Sequence, residues 1–285
     1  MGARKVIRYY IVDAFSSQPF GGNPAGVVLL GADDFPSEGL MLQIAAELRF
    51  SETAFVKQLS DKEFHIRYFT PEAEVDVCGH ATIAAFFLLH QTELAATGRC
   101  ICRTRAGNLN VEAGNQVMMQ MPQPRIIGTI TETADIYRAL GVSGYQPPLP
   151  VQVVSAGLPD IMLPLADVAT LQALQPNMTA IASITKRYEA VSIHPFALSD
   201  DGYTAHVRDF APLYGIPEES ATGTANASLT HYLHHHNHLS ANAVCTFIQG
   251  EAMGRPSVVA TQIQPDGNIL VGGTATVVAE GEMRV

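Results

Sequence analysis

Residues 67–90, RYFTPEAEVDVCGHATIAAFFLLH, contain the stretch that decides the fold. The part that begins at Gly79 is apolar nearly all round, which predicts a helix buried on most sides rather than an amphipathic surface helix. Residues 208–235, RDFAPLYGIPEESATGTANASLTHYLHH, repeat its outline, because both stretches read R-x-F-[TA]-P and then G-x-A. The second arginine follows the first by 141 residues and the second glycine by 144, close to half of the 285-residue chain. Self-similarity at half length indicates duplication; the alternative is a chance coincidence of short, degenerate patterns.

Short strand-like segments separated by turn residues surround the first helix. They are predicted at Val6 to Val12, Gly26 to Leu30, Thr53 to Lys57, Phe64 to Phe69, Arg99 to Thr104, Gly107 to Glu112 and Val117 to Met121, with a further helix at Pro36 to Leu48. Together with the duplication they predict an α+β fold of two pseudo-symmetric domains. Each domain is expected to be a twisted, mostly antiparallel sheet around a central helix, with domains at residues 1–122 and 123–274 and ligands in a cleft between them.

Composition excludes several classes of protein. The chain is 47% hydrophobic and 15% charged, against roughly 25% charged in typical domains, so a folded, core-containing protein is expected. A net charge of −10 without a basic cluster argues against nucleic acid. Residues 77–89 form an apolar run shorter than the roughly 20 residues that span a bilayer, so no membrane partner is expected. No export signal precedes Asp13, and the four cysteines form no disulfide framework, so a cytoplasmic location is predicted. The apolar chain is compatible with a homodimer.

The two helix starts, at Gly79 and Gly223, predict a site for an anion. A helix N-terminus offers unpaired N–H groups and a partial positive charge, so two of them in one cleft would orient a small carboxylate without Arg or Lys. Ordinary capping and close helix packing are the alternative. Glu52 lies between a helix and an apolar strand, where partial desolvation suits a general acid/base. His80 lies in the first turn of the buried helix, where the helix dipole favours its neutral form.

Two other clusters look like metal sites but are given structural interpretations. Five histidines occur close together, and they are His231, His234, His235, His236 and His238. Consecutive histidines on a helix point in different directions, whereas a zinc site needs converging ligands, so a polar helix end is predicted. Cys100 and Cys102 are predicted to be buried thiols in a strand. No metal site is therefore expected.

Five motifs of the chain are similar to those of a known family. VDAFSSQPFGGNPAGVVLL near the N-terminus, FSETAFV around Glu52, RYFTPEAEVDVCGHATIAA, VSAGLP at 154–159 and RDFAPLYGIPEESATGTA resemble the PhzF-like isomerase family of phenazine biosynthesis, in order and along the whole chain. The resemblance implies the diaminopimelate-epimerase-like fold, with a C-terminal strand at about 275–285 returning to the first domain. It also implies isomerisation by proton transfer between carbons, without a metal or an organic cofactor.

The resemblance carries roles over to individual residues. Glu52 of the Ser-Glu-Thr motif becomes the general acid/base, and His80 and Glu219 assist the proton transfer. The residues assigned to substrate binding are Asn23, Ser51, Gly79, Gly223 and Thr224. The phenazine enzyme has Asp-Pro-Ala-Thr-Gly-Ser where this chain has Glu219-Ser-Ala-Thr-Gly-Thr224. The longer acid and the extra methyl group predict a smaller cleft, so the phenazine precursor is not assumed to be the substrate.

Three functions remain open on the sequence. The first is a cofactor-independent isomerase of a small carboxylate, with Glu52 as base and then acid. The second is a racemase or epimerase that uses Cys78, although the second half has no matching cysteine near its helix start. The third is a duplicated protein that binds a metabolite without turnover, because a shared fold does not fix function.

Overall fold

A computed structural model describes residues 6–285 of the chain. The first five residues, which include the basic start of the segment considered for an export signal, lie outside the described residues. The chain forms two compact units. The first unit is the chain up to Gln120 together with Gly272–Val285, and the second unit is Met121–Val271. The sequence placed these boundaries after residues 122 and 274.

The first unit contains nine strands and two helices among the described residues. The strands are β1 (Val6–Ala14), β2 (Asn23–Gly31), β3 (Thr53–Gln58), β4 (Glu63–Phe69), β5 (Glu74–Val75), β6 (Gly98–Thr104), β7 (Gly107–Ala113), β8 (Val117–Gln120) and β17 (Ala275–Arg284). The helices are α1 (Glu38–Leu48), between β2 and β3, and α2 (Gly79–Gln91), between β5 and β6. Both helices, and all seven strands predicted in this half, occur within a few residues of their expected bounds.

The sheet of the first unit mixes antiparallel and parallel pairs. Strand β1 pairs antiparallel with β17 on one side and with β2 on the other. Strand β2 then pairs parallel with β3, β3 antiparallel with β4, β4 parallel with β6, and β6 antiparallel with β7. Helix α1 makes the crossover of the first parallel pair and α2 that of the second, as parallel strands require.

The second unit contains the remaining elements. Its strands are β9 (Arg125–Ile130), β10 (Val151–Ser155), β11 (Pro159–Pro164), β12 (Ser192–Leu198), β13 (Ala205–Val207), β14 (Val244–Gln249) and β15 (Ser257–Ile263), and β16 (Ile269–Gly273) spans the second boundary. Its α-helices are α3 (Ala134–Ala139), α4 (Val168–Gln172), α5 (Met178–Arg187) and α6 (Gly223–His235). Helix α6 begins at the glycine at which the sequence predicted it.

The pairing pattern of the first unit is repeated in the second. Strands β10 and β11 are antiparallel, β11 and β12 parallel, β12 and β13 antiparallel, β13 and β14 parallel, and β14 and β15 antiparallel. This is the order of pairs found from β1 to β7. Helices α4 and α5 occupy the place of α1, and α6 occupies that of α2. The repeated motif in the sequence therefore corresponds to a repeated topology.

The central helix of each unit is buried on most sides. In α2 nine of the thirteen residues are buried. This is more than a single face of a helix contains, as expected from its apolar composition. It contacts β1, β2, β3, β7, β8 and β17. Helix α6 contacts β9, β10, β11 and β15, and eight of its residues are buried. Among residues 6–285 no helix is long and apolar enough to cross a membrane, and the cytoplasmic location stays a prediction.

Candidate active site

The loop that carries Ser51 and Glu52 is held by a helix end and a strand start. Helix α1 is closed by Arg49 in the left-handed conformation, with φ 60°, and β3 begins at Thr53. The backbone N–H of Gly26 in β2 donates to the Glu52 carbonyl oxygen at 3.2 Å. A Cβ on Gly26 would lie 2.7 Å from Oγ1 of Thr53, so only glycine lets β2 approach the start of β3 this closely. The backbone of Glu52 is therefore fixed in place.

The N-terminus of α2 is held from inside the core. Cys78 is its N-cap residue, in an extended conformation, and its side chain makes no capping hydrogen bond. The Thr82 hydroxyl donates to the Cys78 carbonyl oxygen at 2.6 Å. Since Thr82 has one proton to donate, the Tyr68 hydroxyl donates in turn to Thr82, at 2.7 Å. Burial raises the pKa of Tyr68, which keeps it protonated as a donor and so fixes the first turn of the helix.

The side chains of the loop and of the helix start meet. Nε2 of His80 lies 3.3 Å from Oε2 of Glu52 and 3.3 Å from Oγ of Ser51. Sγ of Cys78 lies 3.5 Å from Nδ1 and 3.9 Å from Nε2 of the same ring. The His80 side chain is 7% exposed and that of Glu52 is 20% exposed. A carboxylate, an imidazole, a hydroxyl and a thiol thus form one cluster in the first unit.

The protonation of His80 follows from this environment. Burial lowers the pKa of His80, and the charge of Glu52 opposes that shift only in part. A neutral imidazole has one N–H donor and one acceptor nitrogen. Nε2 is hydrogen-bonded to Oγ of Ser51, and the Glu52 carboxylate lies 3.3 Å from the same nitrogen. Because an ionised carboxylate attracts a donor, a proton on Nε2 favours this contact, and Nδ1 is then the nitrogen without a proton. His80 can thus stabilise the ionised form of Glu52 without carrying a charge of its own.

Glu219 lies in the turn before α6 and is held by its neighbours. Its carboxylate Oε2 accepts from the Thr222 hydroxyl at 2.8 Å. Its backbone N–H donates to the Asp209 carbonyl oxygen at 3.0 Å, and its carbonyl oxygen accepts from the Gln249 side chain at 2.8 Å. Thr222 and Gln249 were not singled out by sequence reasoning, although Thr222 lies inside the Ala-Thr-Gly-Thr-Ala turn that was.

A buried polar network lies behind this turn. Asp209 Oδ1 accepts from Ser192 Oγ at 2.7 Å and contacts His194 Nδ1 at 2.9 Å. Oγ of Ser192 also lies 2.9 Å from Oδ1 of Asp160. Burial, and then the charge of Asp209, raises the pKa of Asp160 well above its ordinary value, so Asp160 is the neutral acid of the pair. Sequence reasoning gave none of the four a role, and Asp209 entered it only as a letter of the R-D-F motif. They come from two strands, β11 and β12, and from the loop after β13.

The structure brings some of the predicted residues together within each unit. In the first unit it groups Ser51, Glu52, Gly79 and His80, and in the second unit Glu219, Gly223 and Thr224 lie in and after the turn before α6. Asn23 begins β2, is 5% exposed and is paired with Ala14 of β1. Cys78, which the sequence suggested only for the alternative racemase or epimerase, also lies in the first group. The roles of all these residues stay predictions.

The two clusters given structural interpretations lie in ordinary surroundings. His231, His234 and His235 lie in the last turns of α6, and His236 and His238 follow it. His236 Nε2 contacts the Gln152 side chain at 2.8 Å, and His234 Nδ1 contacts the Leu239 carbonyl oxygen at 3.0 Å. Cys100 and Cys102 are buried, free thiols in β6, and burial raises the pKa of Cys102 to about 12. Such a thiol is unreactive at neutral pH.

Comparison with solved structures defines the class of protein. The chain superposes on a Bacillus anthracis phenazine biosynthesis protein of the PhzF family with a TM-score of 0.87 and 27% identity, covering 99% of this chain and 100% of that one. It shares its fold with a hydroxyproline epimerase from Agrobacterium vitis, at a TM-score of 0.63 and 12% identity, over 99% of this chain and 92% of that one. The predicted α+β, epimerase-like fold is confirmed.

Sequence comparison then gives the family. The family model described as phenazine biosynthesis-like protein, PhzC-PhzF, matches residues 12–281. The chain is 35% identical to the uncharacterized isomerase YddE of Escherichia coli K12, over 97% of this chain and 98% of that protein. It is 31% identical to the trans-2,3-dihydro-3-hydroxyanthranilate isomerase of Pseudomonas chlororaphis, over 95% and 99%. The chain belongs to the PhzC-PhzF family, as the motifs predicted, and is an isomerase of that family.

Proposed function

We propose that this isomerase moves a proton between two carbons of a small carboxylate, without a metal or an organic cofactor, and that Glu52 carries the proton. The observation that supports this most directly is the contact of 3.3 Å between the Glu52 carboxylate and a buried imidazole. A base that gives its proton back to the same face of the substrate needs one carboxylate, held in a fixed position. Glu52 is held by the Gly26 backbone and by His80.

The proposed steps balance within the substrate and Glu52. The Glu52 carboxylate removes a proton from a carbon next to an unsaturated or carbonyl group, and the electron pair moves along the conjugated system. Glu52, now a carboxylic acid, returns the proton to the carbon at the other end. The Nε2–H of His80 stabilises the ionised form at the start and end of the cycle. General acid–base catalysis of this kind contributes about 10²–10⁴-fold in rate.

The substrate carboxylate is proposed to bind at the start of α2. The backbone N–H groups of the first turn, at Gly79 and His80, point along the helix axis at the positive end of its dipole, and the Ser51 hydroxyl lies 3.3 Å from His80. In the second unit Glu219, Gly223 and Thr224 stay predicted site residues. The deuterium incorporation of a Glu219→Gln variant tests whether the Glu219 carboxylate assists the proton transfer.

Deuterium incorporation tests the role of Glu52. The protein is incubated in D₂O with trans-2,3-dihydro-3-hydroxyanthranilate and with a panel of small cyclic and unsaturated carboxylates, and label at carbon is measured by NMR. Glu52→Gln is expected to slow incorporation by about 10²–10⁴-fold, the contribution of a general base. Glu47→Gln, at an exposed position of α1, is the matched control and should exchange like wild type. Equal exchange by Glu52→Gln, or no exchange of any panel acid by wild type, contradicts the proposal.

A second candidate, an epimerase that uses the Cys78 thiol, is favoured by one observation. Sγ of Cys78 lies 3.5 Å from Nδ1 of His80, close enough for the imidazole to take the thiol proton. If Cys78 is the base, alkylation should abolish deuterium incorporation, substrate should protect against alkylation, and Cys78→Ser should fail while Glu52→Gln retains activity. The opposite order of sensitivity favours Glu52.

A further inference from the structure

Three different metal-binding side chains converge at the start of α2. One ligand atom from each of Glu52, Cys78 and His80 lies within 4.8 Å of the others. Within the described residues 6–285 this is the one group of three or more potential metal ligands whose donor atoms come this close together. The histidines at the end of α6 do not converge in this way. An oxygen, a nitrogen and a sulfur donor at one place are a ligand set that zinc accepts.

The distances are close to those of a tetrahedral site. With zinc bonds of about 2.0–2.3 Å, donor atoms on neighbouring corners lie about 3.3–3.7 Å apart. Nε2 of His80 is 3.3 Å from Oε2 of Glu52 and 3.9 Å from Sγ of Cys78. The first edge already fits. Because Sγ lies nearer to Nδ1, at 3.5 Å, than to Nε2, the Cys78 side chain has to rotate about its Cα–Cβ bond to bring Sγ to the lone-pair side of Nε2. The edge between Glu52 and Cys78, at most 4.8 Å, closes by rotation of the flexible Glu52 side chain.

The backbone around the three ligands is fixed, and the site is open to solvent. Thr82 holds the Cys78 carbonyl oxygen and Gly26 holds that of Glu52, so binding requires only side-chain rotation. The Glu52 side chain is 20% exposed and Cys78 is partly exposed, which gives an ion a path to all three donors.

We propose that Glu52, Cys78 and His80 bind a thiophilic divalent cation such as Zn²⁺, and that the bound ion inhibits the isomerase. The Cys78 thiol releases its proton to solvent as the Zn–S bond forms. The His80 proton moves through solvent from Nε2 to Nδ1, so that Nε2 contributes its lone pair, and Glu52 contributes a carboxylate oxygen. Water completes the fourth position, as in zinc sites with three protein ligands. Inhibition rests on the proposed function, because the ion takes the Glu52 oxygens and the His80 nitrogen that the proton transfer needs. Binding does not rest on it.

Cobalt titration of the full chain tests the binding. Co²⁺ in a tetrahedral site with a thiolate ligand gives intense visible bands and a near-ultraviolet sulfur-to-cobalt charge-transfer band, which Zn²⁺ abolishes by displacement. Cys78→Ser should lose the charge-transfer band and weaken Zn²⁺ binding at least about a hundredfold, since even partners outside the ligand set cost 10–100-fold. Cys245→Ser, a buried thiol in β14, and a variant with His235 and His238 changed to Gln should keep the band. No band in wild type, or a band kept in Cys78→Ser, overturns the proposal.

The inhibition is tested in the deuterium assay. Zn²⁺ should lower incorporation by wild type, and Cys78→Ser should need at least about ten times more Zn²⁺ for half of its own rate to be lost. Stimulation by Zn²⁺, or equal sensitivity of the two proteins, overturns the inhibitory role. The two proposals fail separately. If wild type shows the cobalt band and the Glu52→Gln variant is fully active in the deuterium assay, only the role of Glu52 in catalysis is overturned. If wild type shows no band and Glu52→Gln is inactive, only the metal site is overturned.

Discussion

Gly26→Ala should loosen the loop that carries the catalytic candidate Glu52. The new Cβ would lie 2.7 Å from Oγ1 and 3.1 Å from Cγ2 of Thr53, and 3.0 Å from Cδ1 of Leu48. Ordinary carbon contacts begin at about 3.4 Å. Thr53 is fully buried and cannot turn its side chain into solvent. The strands β2 and β3 therefore have to separate by several tenths of an ångström at this point.

The magnitude follows from that separation. Forcing an extra methyl into a packed site costs about 1–3 kcal/mol. The hydrogen bond from the Gly26 N–H to the Glu52 carbonyl oxygen is 3.2 Å long already, so the same movement weakens it and shifts Glu52 relative to His80. A misplacement of about 1 Å in a catalytic group can cost about 10²-fold in rate. We expect about 1–3 kcal/mol lower stability and about a tenfold to hundredfold loss of deuterium incorporation.

Urea unfolding and the deuterium assay measure the two effects on the same samples. Gly39→Ala is the matched control, because it adds the same methyl group in α1 with no heavy atom within 4 Å. In a helix this change should raise stability, by at most about 1 kcal/mol. If Gly26→Ala unfolds at the same urea concentration as Gly39→Ala and exchanges as fast, the close approach of β2 and β3 does not position Glu52.

Two further predictions concern the second unit. Thr222→Val should lower stability by about 1–3 kcal/mol in urea unfolding, because the Glu219 carboxylate loses a donor at 2.8 Å, whereas Thr222→Ser should stay near wild type; equal losses in both would contradict a role for the hydroxyl. Burial lowers the pKa of His206, but hydrogen bonds to Glu251 and Asp201 outweigh it and raise the pKa overall. The folded state therefore holds this proton more tightly, and the stabilisation is present below about pH 6.5 and lost as pH rises through the folded pKa. His206→Gln should lose more stability at about pH 6 than at about pH 9, by at most about 1 kcal/mol because the Asp201 side chain is half exposed; an equal loss at both pH values would show that the histidine acts only by packing.

The sequence predicted the elements whose signals are local. Strands of the first half alternate or run apolar between turn residues, and α2 and α6 begin at glycines after a turn. Helices α3 and α4 were missed, since five or six residues are too few for helix propensity to decide. Helix α5 could have been found, because Asn177 caps it and Ile181 and Ile184 lie on its buried face.

The contacts of the candidate site were beyond sequence reasoning. Glu52 and His80 were each singled out, but their contact depends on the register that places Gly26 opposite Thr53 and on the path of the chain through β4 to α2. Nothing local to either residue specifies that register. The approach of Cys78 to His80 depends on the extended conformation at the N-cap, which a cysteine does not by itself predict.

The duplicated R-x-F motif makes the same structural contacts in both copies. In both copies the arginine pairs with a glutamate further along, Arg67 with Glu74 and Arg208 with Glu218. In both it also lies over the ring of the phenylalanine two residues later, at 5.3 Å for Phe69 and 4.9 Å for the second copy.

The repeated letters R-x-F therefore hold the chain before each central helix by an ion pair and a cation–π contact. What the copies do not share is the Ser-Glu-Thr segment and the residues at the helix starts, Cys78 and His80 against Thr222 and Thr224. Duplication preserved the residues that build the frame, whereas the cluster of Glu52, Cys78 and His80 occurs in the first copy. For a protein of this architecture, the positions at which the two halves differ are the ones to mutate first.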